Sequence, residues 1–363
     1  MSNNDDDTAT PVPRFRDAQV DRTVVHPNLS SSSSSLQTSQ QHTFVVAADT
    51  QLGMTEQSRS WAREVEYSER AVQHINRIRP LYCCICGDLV ESSAAFLAGH
   101  AKPNTTNDDD NGTVVWTTDE CDVLHDAQNT EFQRIWSQLH PEIALVCLCG
   151  NHDVGNRPTR ASIERFTSVY GDDYLAFWAN GTYNIVLNSN LCNDPDQNDD
   201  DVMALYTEQL DWFQERLAYA RSTPSCRLLF VFSHHPWFLY HEDETMDDLT
   251  GSSPYHMSWG PGSIPDSYFP IPLLYRRRVL DLCRQYHVDA AFSGHFHQNC
   301  VSTTSFGMEM IITGPLSVVL QSSANTSTTS DTQTQGFRLV HVRHDNDSSS
   351  FRHAFIPLQE TER

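Results

Sequence analysis

The sequence predicts an α/β domain whose sheets are covered on both faces. Apolar stripes at helical spacing alternate with short, largely apolar runs, and five of those runs end at Asp, Asn or His. The first stripe is Trp61, Val65, Ser68, Val72 and Ile75, at steps of three or four until Pro80. Phe132, Ile135, Trp136 and Leu139 form the next, followed by Ile163, Phe166 and Tyr170, and then by Leu210, Phe213 and Leu217. Tyr275, Val279, Leu282 and Tyr286 form the last. Between the stripes lie runs too short for helices, which the pattern assigns to strands.

Composition sets limits on function. The 363 residues carry 47 acidic and 24 basic side chains, a formal charge of −23, and 39% are hydrophobic. That is enough apolar material for a core. With one lysine, Lys102, no basic stripe is left to neutralise a nucleic-acid backbone or an anionic membrane surface, so neither partner is expected. No apolar run approaches the roughly 18 residues of a membrane span, and the N-terminus has no basic-then-apolar leader. A cytoplasmic protein with reduced cysteines is the expectation.

Residues 1–42 lack apolar periodicity and contain six consecutive serines, Ser30 to Ser35, so they read as a disordered Ser-rich acidic tail. One domain is expected over 43–358. The polar stretches 101–113, 192–201 and 321–335 read as loop insertions, and the aromatic segment 236–271 is long enough to cap a site.

The ends of the five runs carry the chemistry. Phe44 to Ala48 leads into Asp49, and Leu81 to Gly87 into Asp88. Ile143 to Gly150 leads into Asn151, His152 and Asp153, Leu228 to Ser233 into His234 and His235, and Val288 to Gly294 into His295 and His297. In open α/β sheets ligands bind beyond the carboxyl ends of strands, so five such ends converge on one site. Gly87, Gly150 and Gly294 stand where a sharp turn or a close approach needs no Cβ. Carboxylate, imidazole and amide oxygen together suit Mn²⁺, Fe, Mg²⁺ or Zn²⁺, and a shared carboxylate can bridge two ions roughly 3.5–4 Å apart. Asp88 is the natural bridge.

The blocks Asp49-Thr-Gln51, Gly87-Asp88-Leu-Val-Glu91, Gly150-Asn151-His152-Asp153, His234 and Gly294-His295-Phe-His297 resemble, in order, those of the calcineurin-like metallophosphoesterases. The surrounding text, including Ala48 to Gly53, Gly150 to Asn156 and Gly171 to Tyr174, is most similar to the single-domain calcineurin-like phosphoesterases described as serine/threonine phosphatases. The resemblance implies a four-layer α-β-β-α sandwich with two central mixed sheets. It implies one metal ion held by Asp49, Gln51, Asp88 and His297, and a second by Asp88, Asn151, His234 and His295, with a hydroxide between them attacking phosphorus. His152 would stabilise or protonate the leaving oxygen, with Glu91 orienting it through the other ring nitrogen. The expected activity is phosphomonoester hydrolysis, with a phosphoprotein as the substrate. A phosphodiesterase or nucleotide hydrolase of the same fold, and a binding module with a degenerate metal site, are the alternatives.

Gln51 departs from the commoner histidine of the family and replaces imidazole with an amide oxygen, which shifts the expected metal towards Mn²⁺ or Mg²⁺, with Mn²⁺ favoured. His234 is chosen over His235 by the family spacing, leaving His235 to the wall. Cys83, Cys84, Cys86, Cys147 and Cys149 lack zinc-knuckle spacing and read as small core residues. Asp153 could orient His152 or fix its own loop through backbone amides.

Overall fold

The runs that end in polar residues form parallel neighbouring strands in two sheets. The computed structural model describes residues 13–29, 40–100, 102, 114–194, 200–250, 255–256, 263–322, 334–346 and 348–358. The strands are β1 (Gln19–Val20), β2 (Thr23–Val24), β3 (Gln40–Ala47), β4 (Tyr82–Ile85), β5 (Ala144–Cys147), β6 (Leu175–Ala179), β7 (Thr182–Val186) and β8 (Leu228–Phe232). They continue with β9 (Tyr255–His256), β10 (Ser263–Ile264), β11 (Ala290–Ser293), β12 (Cys300–Thr303), β13 (Glu309–Ile312), β14 (Gln321–Ser322), β15 (Gly336–His344) and β16 (Ser349–Pro357). The helices are α1 (Ala62–Ile78), α2 (Ala94–Leu97), α3 (Thr118–Trp136), α4 (Asn151–Val154), α5 (Arg160–Tyr170), α6 (Asn190–Asn193), α7 (Asp200–Ser222), α8 (Met246–Thr250) and α9 (Leu273–Gln285). Every helix expected from an apolar stripe is present.

One sheet has the order β16-β15-β3-β4-β5 and the other β12-β13-β11-β8-β7-β6. β3, β4 and β5 are parallel neighbours, with Ala47 opposite Ile85 and Ile85 opposite Cys147. β8 and β11 are parallel neighbours in the second sheet, with Phe232 opposite Phe292. Antiparallel strands complete both sheets, so both are mixed.

Alternation along the strands separates the layers. Phe44, Val46, Tyr82 and Cys84 from the first sheet pack against Phe177, Phe230, Phe232 and Phe292 from the second, with Phe44 stacked on Tyr82 at 4.7 Å. Val45, Ala47, Cys83 and Ile85 point the other way, into Val72 and Ile75 of α1, Phe132 and Trp136 of α3, and Phe166 and Tyr170 of α5. Leu229, Val231 and Ala291 meet Leu210, Phe213 and Leu217 of α7 and Val279 and Leu282 of α9. The layer order is therefore α-β-β-α. Each fully buried Phe or Leu contributes roughly 2 kcal/mol to holding these layers together. All ten cysteines are free thiols, and alternate cysteines of β4 serve opposite faces.

Several expectations for the polar segments need correction. Residues 13–29 are not a disordered tail: they carry the β1–β2 hairpin, and β3 already begins at Gln40. Gln19 is buried, its Nε2 donating to Tyr170 O and its Oε1 accepting from Cys147 N, while Arg14 donates to the carbonyls of Leu139, His140 and Ile143. Side-chain bonds to backbone hold this segment, and these leave no apolar periodicity. Nor is 192–201 wholly a surface loop, because Cys192 is buried in the core from α6 and α7 starts at Asp200. In 236–271, Trp237, Phe238, Leu239, Phe269 and Ile271 are core residues, and the Glu244 carboxylate accepts from the backbone N–H groups of Leu239, Tyr240 and His241. Residues 1–12, 30–39, 101, 103–113, 195–199, 251–254, 257–262 and 323–333 lie outside the described residues, and with them most of the insertion loops and the middle of the aromatic segment. Among the described residues no helix is long and apolar enough to cross a membrane.

Candidate metal centre

The strand ends reach one place through unusual backbone. Asp49, Gln51, Asp88, His295 and His297 all have positive φ, between +33° and +64°, where an L side chain costs about 1 kcal/mol or more. Bonds between the loops hold them there. Asp49 N donates to Gly87 O at 3.1 Å and Gln51 N to Asp88 O at 2.8 Å. His295 N donates to both carboxylate oxygens of Asp49, at 3.0 and 3.1 Å, and His152 N to Asp88 Oδ1 at 2.8 Å. The glycines are required by proximity: a Cβ on Gly87 would stand 2.6 Å from His234 Nδ1, and one on Gly150 2.0 Å from Asp88 Oδ1.

The structure brings Asp88, Asn151, His234 and His295 together. His234 Nε2 lies 3.0 Å from Asn151 Oδ1, 3.1 Å from His295 Nδ1 and 3.3 Å from Asp88 Oδ2. Its Nδ1 faces Cys86 O at 2.8 Å, and since a carbonyl only accepts, Nδ1 carries a proton. Nε2 is left among a carboxylate oxygen, an amide oxygen and a second imidazole nitrogen, acceptors that either a proton on Nε2 or a bound cation satisfies. Asp88 Oδ2 and His295 Nε2 have no hydrogen-bond partner among the described residues. This donor set fits a divalent ion.

A second group sits beside it. His297 Nδ1 lies 2.5 Å from Val318 O, which leaves Nε2 facing Asp49 Oδ1 at 3.6 Å. Asp49, Asp88 and His234 each bring a donor atom within 4.8 Å of the others. Gln51 is buried alongside, its Oε1 accepting from Ser317 Oγ at 3.3 Å and its Nε2 donating to Glu91 Oε2 at 3.4 Å.

His152 stands at the rim. Its Nδ1 lies 2.9 Å from Glu91 Oε2 and its Nε2 3.9 Å from Asp88 Oδ2, with the Phe96 ring packed on it at 3.6 Å. Asp153 fixes the loops, accepting from Leu89 N at 3.1 Å and Gly150 N at 2.7 Å. His234 and His235 follow the end of β8, where strand alternation no longer separates them: the His235 ring lies 4.3 Å from that of His295, and its Nδ1 is 3.0 Å from Ser189 Oγ.

The local charges are strongly coupled through this geometry. Burial opposes charge on Asp88, yet the attraction of His234 and His152 outweighs it and holds the carboxyl well below the usual range. For Asp49 burial prevails over the attraction of His234 and the pKa is pushed up to about 8. Burial would keep His152 neutral, but Glu91 and Asp88 raise it to about 9. Burial lowers His297 to about 4 and pushes His295 well below its usual range.

Some contributors carry no sequence signal. Ser317 and Val318, beyond β13, belong to no recognisable motif, and Phe96 lies in an ordinary apolar run. Tyr268 was legible only as one aromatic among many: its hydroxyl is 3.4 Å from Asn151 Nδ2 and its ring 5.3 Å from that of His295. Arg157 and Arg160 face Asp194 and Asp201, at 4.0 and 3.9 Å. Among the described residues no cysteine belongs to a candidate metal group.

Comparison with known proteins agrees with this architecture. The family profile described as calcineurin-like phosphoesterase matches residues 42–299. Serine/threonine-protein phosphatase CPPED1 from Homo sapiens is 29% identical, over 75% of this chain and 74% of its own. The protein of the same name from Danio rerio is 29% identical over 84% and 82%. Among solved structures, a dimetal phosphatase from Danio rerio superposes with a TM-score of 0.50 at 14% identity, covering 85% of this chain and 98% of its own.

Proposed function

The chain belongs to the calcineurin-like phosphoesterase family and is a phosphate-ester hydrolase, and from that premise we propose that it is a dinuclear metallophosphatase acting on phosphoserine or phosphothreonine in proteins. The observation that carries the metal centre is the convergence of Asp88, Asn151, His234 and His295 lone pairs on one point. Those four would hold one divalent ion, and Asp49, Gln51, Asp88 and His297 the other, with Asp88 shared. Ions held there supply Lewis-acid polarisation of the phosphoryl oxygens and lower the pKa of an attacking water. Gln51 in place of a nitrogen ligand favours Mn²⁺.

The remaining chemistry belongs to side chains. His152 keeps a proton on Nδ1 towards Glu91 and presents Nε2 to the leaving oxygen, to which it delivers a proton. Phe96 packs on the imidazole and limits its rotation, and Tyr268, next to Asn151, is placed to hydrogen-bond a phosphoryl oxygen. Likeness to serine/threonine-protein phosphatase CPPED1 of three fish and mammalian species supports the phosphoprotein substrate, and the −23 charge disfavours nucleic acid and anionic membrane as partners.

The test is hydrolysis of an aryl phosphate monoester and the matching diester by Mn²⁺-loaded protein, with Asp88→Asn as control. Preference for the monoester, lost in the variant, is the expected result. Preference for the diester, or activity in Asp88→Asn above a few per cent of wild type, overturns the reading.

A further inference from the structure

Three parallel strands of the second sheet, β7, β8 and β11, end level with one another. Val186 of β7 and Phe292 of β11 both lie opposite Phe232 of β8, and the third residue beyond Val186, Phe232 and Phe292 is Ser189, His235 and His295 respectively. Register therefore sets His235 between a serine and an imidazole. Its backbone N donates to Ser189 Oγ at 2.9 Å, and its carbonyl accepts from Ser233 Oγ at 2.9 Å, so the turn is held on both sides. Its Nδ1 lies 3.0 Å from Ser189 Oγ. The ring nitrogen left over is Nε2, which has no hydrogen-bond partner among the described residues.

The spacing of the rings is that of ligands around one ion. His234, His235 and His295 each bring a donor atom within 4.8 Å of the others. An imidazole bound at about 2.1 Å sets its ring centre about 3.2 Å from the ion, so two rings at right angles about one ion stand roughly 4.5 Å apart. The observed separations are 4.8 Å between His234 and His295, 5.0 Å between His234 and His235, and 4.3 Å between His235 and His295. The three side chains are at most 4% exposed. Gathering three imidazoles away from water costs desolvation that ring contact alone does not return, and a shared ion does.

Resting on the dinuclear reading above, we propose that His235 is a fifth protein ligand of the ion held by Asp88, Asn151, His234 and His295. Three imidazoles, a carboxylate oxygen and an amide oxygen leave one position of an octahedron open to substrate. The other ion, with Asp49, Gln51, Asp88 and His297, has a single imidazole. The two positions therefore differ in nitrogen content: the one completed by His235 suits Zn²⁺, which favours imidazole, whereas the oxygen-rich one beside Gln51 suits Mn²⁺.

The experiment loads the full metal-free chain with one equivalent of Zn²⁺, which fills the nitrogen-rich position first, and reads two quantities. X-ray absorption counts the imidazoles about the ion, and competition with a chromophoric chelator gives the dissociation constant. Wild type should show three imidazoles. His235→Gln should show two and bind about 100-fold or more weakly, since loss of a mere outer partner of a ligand already costs roughly 10- to 100-fold. Ser189→Ala, which keeps every ligand but frees the His235 ring, should retain three imidazoles and bind about tenfold more weakly. The wild-type count decides the matter even where the His235 variant fails to fold. Two imidazoles in wild type, or the same count and affinity in His235→Gln, overturns the role of His235 and leaves the dinuclear reading standing; absence of tight Zn²⁺ binding by wild type overturns the metal centre itself.

Discussion

Gly150→Ala tests the geometry of the metal centre through a single methyl group. Gly150 has φ −108° and ψ −179°, a conformation alanine adopts freely, so any effect is steric. The new Cβ would stand 2.0 Å from Asp88 Oδ1, 2.4 Å from Asp88 N and 2.7 Å from Asp88 Cγ. Side-chain carbons essentially never approach below 3.0 Å, so Asp88 must retreat by about 1 Å, the difference between 3.0 and 2.0. Oδ1 accepts from His152 N at 2.8 Å and Oδ2 faces His234 Nε2 at 3.3 Å, and that shift disturbs both. A misplacement of 1 Å costs on the order of 100-fold in rate, and overpacking about 1–3 kcal/mol in stability. The assay is bound metal per chain after gel filtration, kcat/KM on a phosphate monoester, and melting temperature. Gly99→Ala is the control, because φ there is +84° but nothing lies within 4 Å: it should lose about 1–2 kcal/mol and no metal. Retention of full metal content by Gly150→Ala, with activity within about threefold of wild type, refutes the arrangement.

Three further outcomes follow from the coordinates. Gln19→Ala strands Cys147 N and Tyr170 O without partners, which at about 1–3 kcal/mol each should lower the melting temperature by roughly 5–10 °C, and an unchanged transition would return residues 13–29 to the status of a tail. Burial holds His125 at about 4, below the 6.5 of an unfolded histidine, so the unfolded chain binds more protons between those values. Its stabilisation is complete above pH 6.5 and is lost as pH falls towards 4, about 2 kcal/mol by pH 5; urea midpoints at pH 7 and 5 should therefore differ more in wild type than in His125→Gln. Glu91→Gln removes the charge 2.9 Å from His152 Nδ1 and should lower kcat about 10- to 100-fold with little change in KM, whereas a change confined to KM would make Glu91 a substrate contact.

What could be read in advance divides along physical lines. Asp49, Asp88, Asn151, His234 and His295 were legible because each closes a largely apolar run, and a parallel strand buried on both faces admits few polar side chains before its end. The helices were legible because their stripes are wide and stop at Pro80, Gly171 or a polar turn. Residues 13–29 were not, since Arg14 and Gln19 bind the core through carbonyls and amides, interactions without periodicity. Ser317 and Val318 contribute a hydroxyl and a carbonyl that any sequence could supply.

The metal centre is specified by contacts between loops more than by the strands that deliver them. Five residues in left-handed backbone cost together about 5 kcal/mol, comparable with the net stability of an ordinary domain. No single loop repays that locally, because the bonds that hold each one come from its neighbours: Gly87 accepts from Asp49, Asp88 from Gln51 and His152, and Asp49 from His295. Asp49 and Asp88 thus offer carboxylate oxygens at the candidate metal centre and also accept from the backbone of a neighbouring loop. Loss of the Asp49 carboxylate therefore loosens the loop after β11 of the opposite sheet, and loss of the Asp88 carboxylate the loop after β5 of its own sheet. This reciprocity accounts for glycine at positions 87 and 150, since the loops can exchange these bonds only if their backbones approach within the reach of a Cβ.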